Sequence, residues 1–460
     1  MTRIFKTIIY MILVVVLVYG ITYAWRAFPI ISGYGAKNLC SCAYVSGREA
    51  DSVINNELGS FPLSLGSFEI DNSDSSAYGS VFGLARRKAI YRKGFGCTLI
   101  SEISEQAVRG QKEPHLSFQA LSKVKAWPFG DAVNYEDSTI NFTKLNAAID
   151  EAFLEDNPEK PKNTRAIVVV HHGKVIGEKY APGFDETTPQ LGWSMTKSIT
   201  NALIGILVKQ DKLDIYEPAP IAKWKREDDE RQKITIDQLL RMSSGLKWEE
   251  NYAGPSTATN MLFKEASMGE YASSFPAEKT PDTEWYYSSG TSNILSMIVR
   301  ETTGNNYYNF VHKELFSALG MTSAVLEPDA SGTYVGSSYM YATPRDWAKF
   351  GLLYLNDGIW NGKRILPEGW AKYSSTPTPT APNGEYGAHF WTNAGAPGNP
   401  STRYYPDAPV NMYSLNGYDG QRVFILPDQD MIIVRLGLSK RGNFDFNELV
   451  KSVVESVRTE

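Results

Sequence analysis

Ser194-Met195-Thr196-Lys197 sets a hydroxyl and an amine three residues apart. On a helix, positions i and i+3 share a face, so the Lys197 amine can reach the Ser194 hydroxyl. The pairing suits covalent catalysis. A serine hydroxyl is a weak nucleophile until a neighbour takes its proton, and a lysine can do so where burial and positive neighbours disfavour its charged form. A position near the helix start adds free backbone N–H groups and the positive end of the helix dipole, both suited to a developing oxyanion. The spacing is common in a chain of 460 residues, so its meaning depends on the residues that the fold brings to it. A nucleophile elbow of the Gly-x-Ser-x-Gly kind is not met, because Gly192-Trp193-Ser194-Met195-Thr196 ends in threonine. His115, His171, His172, His312 and His389 show no order with serine and aspartate that would make a triad. His171 and His172, with no partner nearby in sequence, read as strand-end residues, and His389 reads as core or wall packing.

The elements that must carry Ser194 and Lys197 are legible on both sides of them. Ile199, Leu203, Ile206 and Leu207 give one apolar helical face directly after the motif. Before it, RAIVVVHHGKVIGEKYA makes two β runs around His172-Gly173-Lys174, the pattern of a hairpin. Upstream, Phe142, Leu145, Ile149 and Phe153 recur at helical spacing behind the cap Asn141. Downstream, 234–246, 306–320 and 345–358 read as helices, and RVFILP and MIIVRLGL around Pro427-Asp428 as a second hairpin. Strand pair, helical middle, strand pair is an α+β order with an antiparallel sheet flanked by helices and a mainly helical subdomain. The Pro/Gly-rich loops at 376–382 and 393–400 are candidate walls of a site, as are Trp248, Glu249 and Tyr252, for which a structural loop is the alternative.

The remaining chain is of a different character. Thr7–Trp25 carries no charge and would span about 28 Å as a helix, close to a bilayer's hydrocarbon thickness. It reads as an anchor that keeps the basic N-terminus inside and everything after Arg26 outside, with a cleaved signal peptide as the alternative. From about 28 to 125, short β-like runs such as 67–70 and 88–91 between Gly, Asn, Asp and Ser clusters suggest a small β-rich module. The expected division is 1–27 anchor or signal, 28–137 module and linker, 138–460 the domain that carries Ser194 and Lys197. Cys40, Cys42 and Cys97 are the three cysteines. In an exported chain, Cys97 can pair with Cys40 or Cys42, leaving one thiol. Three cysteines without a nearby histidine do not make a zinc site, and no metal or cofactor is expected. With 46 Lys and Arg against 51 Asp and Glu, a net charge of -5 and no basic stripe, the composition argues against a nucleic-acid partner.

The stretch PDTEWYYSSGTSNILSMIVRETTG resembles the segment bearing the second motif of the serine β-lactamase and D,D-peptidase-like superfamily, which is Tyr-x-Asn. Here Tyr287-Ser288-Ser289 puts serine in place of asparagine. The third motif, Lys-Thr-Gly or His-x-Gly, aligns with Tyr418-Asp419-Gly420. The resemblance covers about 140–457, including ITIDQLLRMSSGLKWEENY and YATPRDWAKFGLLYLNDGIWNGKRILPEGW. It is nearest the 6-aminohexanoate-dimer hydrolase-like branch, whose second motif is Tyr-x-Ser. It implies a β-lactamase-like fold and a metal-free hydrolase of a small linear amide or ester. Ser194 is then the nucleophile, Lys197 its base and Tyr287 the proton relay to the leaving group. The N–H groups of Ser194 and Gln421 would form the oxyanion hole, with Ser289, Tyr418, Asp419 and Gly420 at the substrate. Residue 418 lacks the cation that holds a substrate carboxylate in related peptidases, although Arg403 or Arg422 could supply one. Two alternatives stand beside this reading: a D,D-peptidase or β-lactamase, and a non-catalytic member that binds peptidoglycan or a partner.

Overall fold

The computed structural model describes residues 2–112, 114 and 122–457, so His115 lies outside the described residues. Its longest element, helix α1 (Thr2–Tyr44), has two halves in opposite surroundings. The first is exposed from Ile4 to Tyr23 and, with a mean hydropathy of 2.4, is long and apolar enough to cross a membrane. The expected break near residue 27 does not occur. Pro29 costs the helix a hydrogen bond, yet α1 continues because Ile31–Cys42 gain burial against the rest of the protein.

That second half packs on a four-stranded antiparallel sheet, β1 (Gly66–Asp71), β2 (Ser76–Val81), β3 (Leu84–Arg92) and β4 (Gly96–Leu99), in sequential order. Helix and sheet touch backbone to backbone: a Cβ on Gly79 would lie 2.2 Å from the Ser32 carbonyl oxygen. A Cys40–Cys97 disulfide ties α1 to β4, leaving Cys42 as a buried thiol that burial pushes up to about 11. Lys37 forms a buried ion pair with Glu327. The Ser41 hydroxyl and the Cys97 N–H donate to the same carboxylate at 2.9 and 2.5 Å. One buried acid thus joins α1, β4 and the remainder of the chain.

The largest sheet has six antiparallel strands. After α2 (Phe142–Glu151), where the Asn141 side chain accepts from the Lys144 N–H as the sequence predicts, come β5 (Thr164–His171) and β6 (Lys174–Tyr180). Helices α3 (Thr196–Lys209), α4 (Ser289–Thr303) and α5 (Pro344–Leu355) follow, then β7 (Trp391–Thr392), β8 (Tyr413–Gly417), β9 (Gln421–Leu426), β10 (Met431–Gly437) and α6 (Phe446–Val454). The strand order is β7-β8-β9-β10-β5-β6. Alternation assigns the faces: Ile167, Val169 and Ile433 pack with Leu145, Ile149 and Val450 of α2 and α6. Val168, Val170 and Ile432 join the core of the helices on the other side. Both faces are covered, which is why these strands read as nearly continuous apolar runs. The expected helix over 306–320 is α-helical only over Tyr307–Val311 and widens into a π-helical turn over His312–Ser317. His171 and His172 end β5 with carboxylate partners that sequence proximity does not reveal, Asp137 at 3.0 Å and Asp430 at 2.8 Å.

Candidate active site

Ser194 sits in a single 3-10 turn, Trp193–Met195, one step ahead of α3. Trp193 holds a left-handed conformation with φ 48°, costly for a bulky residue, and the Thr196 hydroxyl fixes the turn by donating to its carbonyl at 2.6 Å. Ser194 is half-buried and open to a cleft, whereas Lys197, one helical turn on, is only 1% exposed. The Lys197 Nζ donates to Ser194 Oγ at 3.1 Å, to Ser289 Oγ at 3.1 Å and to the Ser337 carbonyl at 3.2 Å.

Ser289, the first residue of α4, is oriented by an acid that sequence reasoning missed. Its hydroxyl donates to Glu250 Oε1 at 2.6 Å and its N–H to Oε2 at 2.9 Å. The same carboxylate accepts from the Tyr252 hydroxyl at 2.7 Å and from Trp248 Nε1 at 2.6 Å. With its proton committed to Glu250, the Ser289 oxygen presents lone pairs to Lys197. Trp248 and Tyr252 therefore stand beside Ser289 as partners of Glu250, while Glu249 bonds through its backbone to Thr257 and Ala258. The signal was present in Trp-Glu-Glu-x-Tyr, but which of two adjacent acids turns inward depends on the loop.

Tyr287 lies with its ring 4.7 Å from Lys197 Nζ, packed against Tyr386 and Trp391. Its hydroxyl has no hydrogen-bond partner among the described residues, and it lines the same cleft as Ser194. His389 sits behind the helix. Its ring lies 2.8 Å from the Lys197 carbonyl and 3.1 Å from Ser292 Oγ, and burial together with Lys197 pushes its pKa down to about 3. A neutral ring with Nδ1–H donating to that carbonyl braces the helix, which agrees with a packing role.

The expected third motif divides in two. Tyr418 and Asp419 line the cleft, Tyr418 with its ring edge-on to Trp193 at 5.9 Å. Gly420 and Gln421 do not. Gly420 gives its carbonyl to Arg435 at 3.0 Å, and the Gln421 amide clasps Gly437, donating to its carbonyl at 2.6 Å and accepting its N–H at 3.0 Å. The reason is the hairpin: Gly417 pairs with Gln421 across a three-residue turn, so the strand that abuts the Ser194 turn is β8, not β9. A Cβ on Gly417 would lie 2.1 Å from the Gly192 carbonyl oxygen. Neither the Ser194 nor the Tyr418 amide has a hydrogen-bond acceptor among the described residues. Of the two candidate cations, Arg422 lines the cleft and Arg403 does not, and Lys440 and Arg441 line it unforeseen. The cleft encloses about 1340 Å³. Among the described residues no group of His, Cys, Asp and Glu is arranged to hold a metal ion.

Residues 161–455 match the profile of the beta-lactamase family. The chain belongs to that family. Within it, the chain is similar to the 6-aminohexanoate-dimer hydrolase of Paenarthrobacter ureafaciens, at 23% identity over 59% of this chain and 72% of the relative. A shorter likeness, 30% identical over 112 residues, is to the lovastatin esterase of Penicillium rubens, covering 22% of this chain and 26% of that one. Among solved structures, a Bacillus anthracis protein provisionally described as a 6-aminohexanoate-dimer hydrolase superposes with a TM-score of 0.54 at 21% identity, covering 73% of this chain and 86% of its own. The penicillin-binding protein homologue of Pyrococcus abyssi gives 0.51 at 17% identity over 68% and 77%. Beta-lactamase-family membership makes the chain a member of a serine hydrolase family with an α+β, antiparallel-sheet fold.

Proposed function

We propose that this chain hydrolyses a linear amide or ester through an acyl-enzyme formed on Ser194. The observation that carries the reading is the set of Lys197 contacts. Donating to all three partners takes three N–H groups; a neutral amine keeps two, which Ser289 Oγ and the Ser337 carbonyl accept, and the contact with Ser194 Oγ then turns round so that the lone pair faces the Ser194 proton. Ser194 Oγ attacks the substrate carbonyl carbon while its proton passes to Lys197. The oxyanion rests on the amides of Ser194 and Tyr418, the latter in place of Gln421 because β8 is the strand beside the Ser194 turn. On collapse the carbon–leaving-group bond breaks, and the departing amine or alkoxide takes the proton from Lys197 through the Tyr287 hydroxyl. A water then attacks the acyl-serine, gives one proton back along the same path, and Ser194 leaves protonated. That the chain keeps Ser194, Lys197 and Tyr287 supports this reading over the non-catalytic alternative.

Short esters and uncharged linear amides are the expected substrates, because Asp419 rather than a cation stands on the cleft beside Tyr418. The D,D-peptidase or β-lactamase reading rests on Arg422, Lys440 and Arg441, which all line the cleft, Arg422 already donating to two backbone carbonyls. Residues 7–25 serve in this reading as an anchor that holds the hydrolase on the outer side of a membrane. The test is kcat/KM for a short ester, a linear amide and a cephalosporin. The first two should be turned over, Ser194→Ala should abolish turnover, and Lys197→Arg should cost orders of magnitude because arginine offers no lone pair. Efficient cephalosporin turnover lost on replacing Arg422 would favour the alternative.

A further inference from the structure

The cleft is larger than a short amide requires, and one of its walls comes from the membrane-proximal helix. Tyr23, Ala24, Ala27, Ile31 and Tyr34 of α1 all line it. Their spacing keeps them on one helical face, and from Tyr23 to Tyr34 that face rises about 16 Å at 1.5 Å per residue. Its upper end reaches the nucleophile: Tyr34 stacks on Trp193, the residue before Ser194, with ring centroids 6.0 Å apart. Its lower end, Tyr23-Ala24, belongs to the uncharged stretch of residues 7–25.

Leu63, Leu65, Leu262 and Phe263 also line the cleft, with Phe263 packed on Tyr34 at 5.5 Å between ring centroids. By contrast, Asn393, Asn416 and Arg422 line the cleft from the β7–β9 side. Around the point where α1 leaves the apolar stretch, Trp25 is 83% exposed, Phe61 80% and Phe82 69%, with Phe82 edge-on to Phe28 at 5.9 Å. Large aromatics exposed at this level suit the headgroup zone of a bilayer. Burial first, and then Arg26 and Arg87, disfavour the charge on Lys264, with Glu265 opposing them, so three basic side chains and one acid stand at the same place.

We infer that the cleft admits the long acyl chain of a bilayer-resident ester or amide along the α1 wall, so that the lipid carbonyl meets Ser194 while its tail stays continuous with the membrane. The inference rests on the acyl-enzyme reading above and names its substrate class. A channel running from the bilayer to the serine lets a tail slide without crossing water, whereas a soluble dimer would use only the upper end of the cleft.

The test uses the full chain reconstituted in phospholipid vesicles. For nitrophenyl esters, kcat/KM should rise at least about tenfold from acetyl to dodecanoyl, within a ceiling of about fourfold per methylene. Ala27→Trp, which fills the wall midway, should lower the dodecanoyl-to-acetyl ratio of kcat/KM by about tenfold. A readout independent of turnover is photocrosslinking of a diazirine-bearing stearic acid to the Ser194→Ala chain. Adducts on the peptide holding Leu262 and Phe263 are expected, reduced by Ala27→Trp. Ser194-dependent turnover without chain-length preference, and crosslinks confined to residues 7–25, would overturn the inference and leave the hydrolase reading standing. Crosslinking of the Leu262–Phe263 peptide without Ser194-dependent turnover of any ester would overturn the hydrolase reading and the substrate assignment with it, leaving only acyl-chain binding by the cleft.

Discussion

Glu250 shows how a residue outside any motif can set the chemistry of those inside one. By taking the Ser289 proton it obliges that oxygen to accept from Lys197, which in the proposed mechanism leaves the lysine lone pair for Ser194. Glu250→Gln keeps the shape but can return a donor to Ser289. We expect kcat to fall by about tenfold or more with KM little changed, and the acidic limb of the pH–rate profile to move; a merely structural role would lower the thermal midpoint and leave that limb in place. Asp419 carries a second prediction. Burial, partly offset by Arg165 and reinforced by Glu57, pushes its carboxyl from an ordinary 3.8 up to about 7. With the folded-state pKa raised, stability held below the unfolded value near 3.8 is lost as pH rises through 7. Asp419→Asn should therefore gain thermal midpoint relative to the natural chain between pH 5 and 8. It should also erase a growing preference for neutral over anionic esters across the same range; a constant difference at all pH values would contradict the assignment. The Ser194–Lys197 pair was legible because three residues on a helix fix its geometry. The roles of Gly417 and Gln421 were not, since they depend on where a three-residue turn begins, and a slip of that kind moves an amide out of the site.

At the scale of elements, the apolar runs of β5, β9 and β10 and the cap before α2 could be read directly, because each is a local pattern with a single outcome. Helix α1 could not. Its apolar first half and its buried second half have different partners, and nothing in the sequence around Arg26 and Pro29 announces that one helix serves both. Its attachment rests on the Cys40–Cys97 bridge and the Lys37–Glu327 pair. The bridge closes a loop of 57 residues, worth about 4 kcal/mol in the chain-entropy account. Cys97→Ser, or reduction of the natural chain, should destabilise the sheet β1–β4 by up to about that amount, seen as earlier proteolysis within 66–99. Cys42→Ser should leave the bridge and the protease resistance intact. Equal loss from both variants would contradict the pairing.

For the whole molecule, one continuous helix joins an apolar stretch long enough to cross a membrane to a helix-and-sheet attachment and a beta-lactamase-family domain. If residues 7–25 remain as an anchor, the protein should stay with membranes through high salt and alkaline wash, and protease added outside intact cells should reach the catalytic part. A soluble species with a new N-terminus near Trp25 would show a cleaved signal instead. Tyr34 and Ile31 would then lose their connection to the bilayer but keep their place on the cleft, since that face is held by burial rather than by lipid.

In the proposed mechanism Ser194 forms the covalent intermediate. Its most direct test is intact-mass and peptide-level analysis of the full chain after reaction with a fluorophosphonate. The account predicts a single adduct on the peptide containing Ser194, absent from Ser194→Ala and strongly slowed in Lys197→Arg. An adduct on another serine, or full labelling of the Ser194→Ala chain, would contradict it.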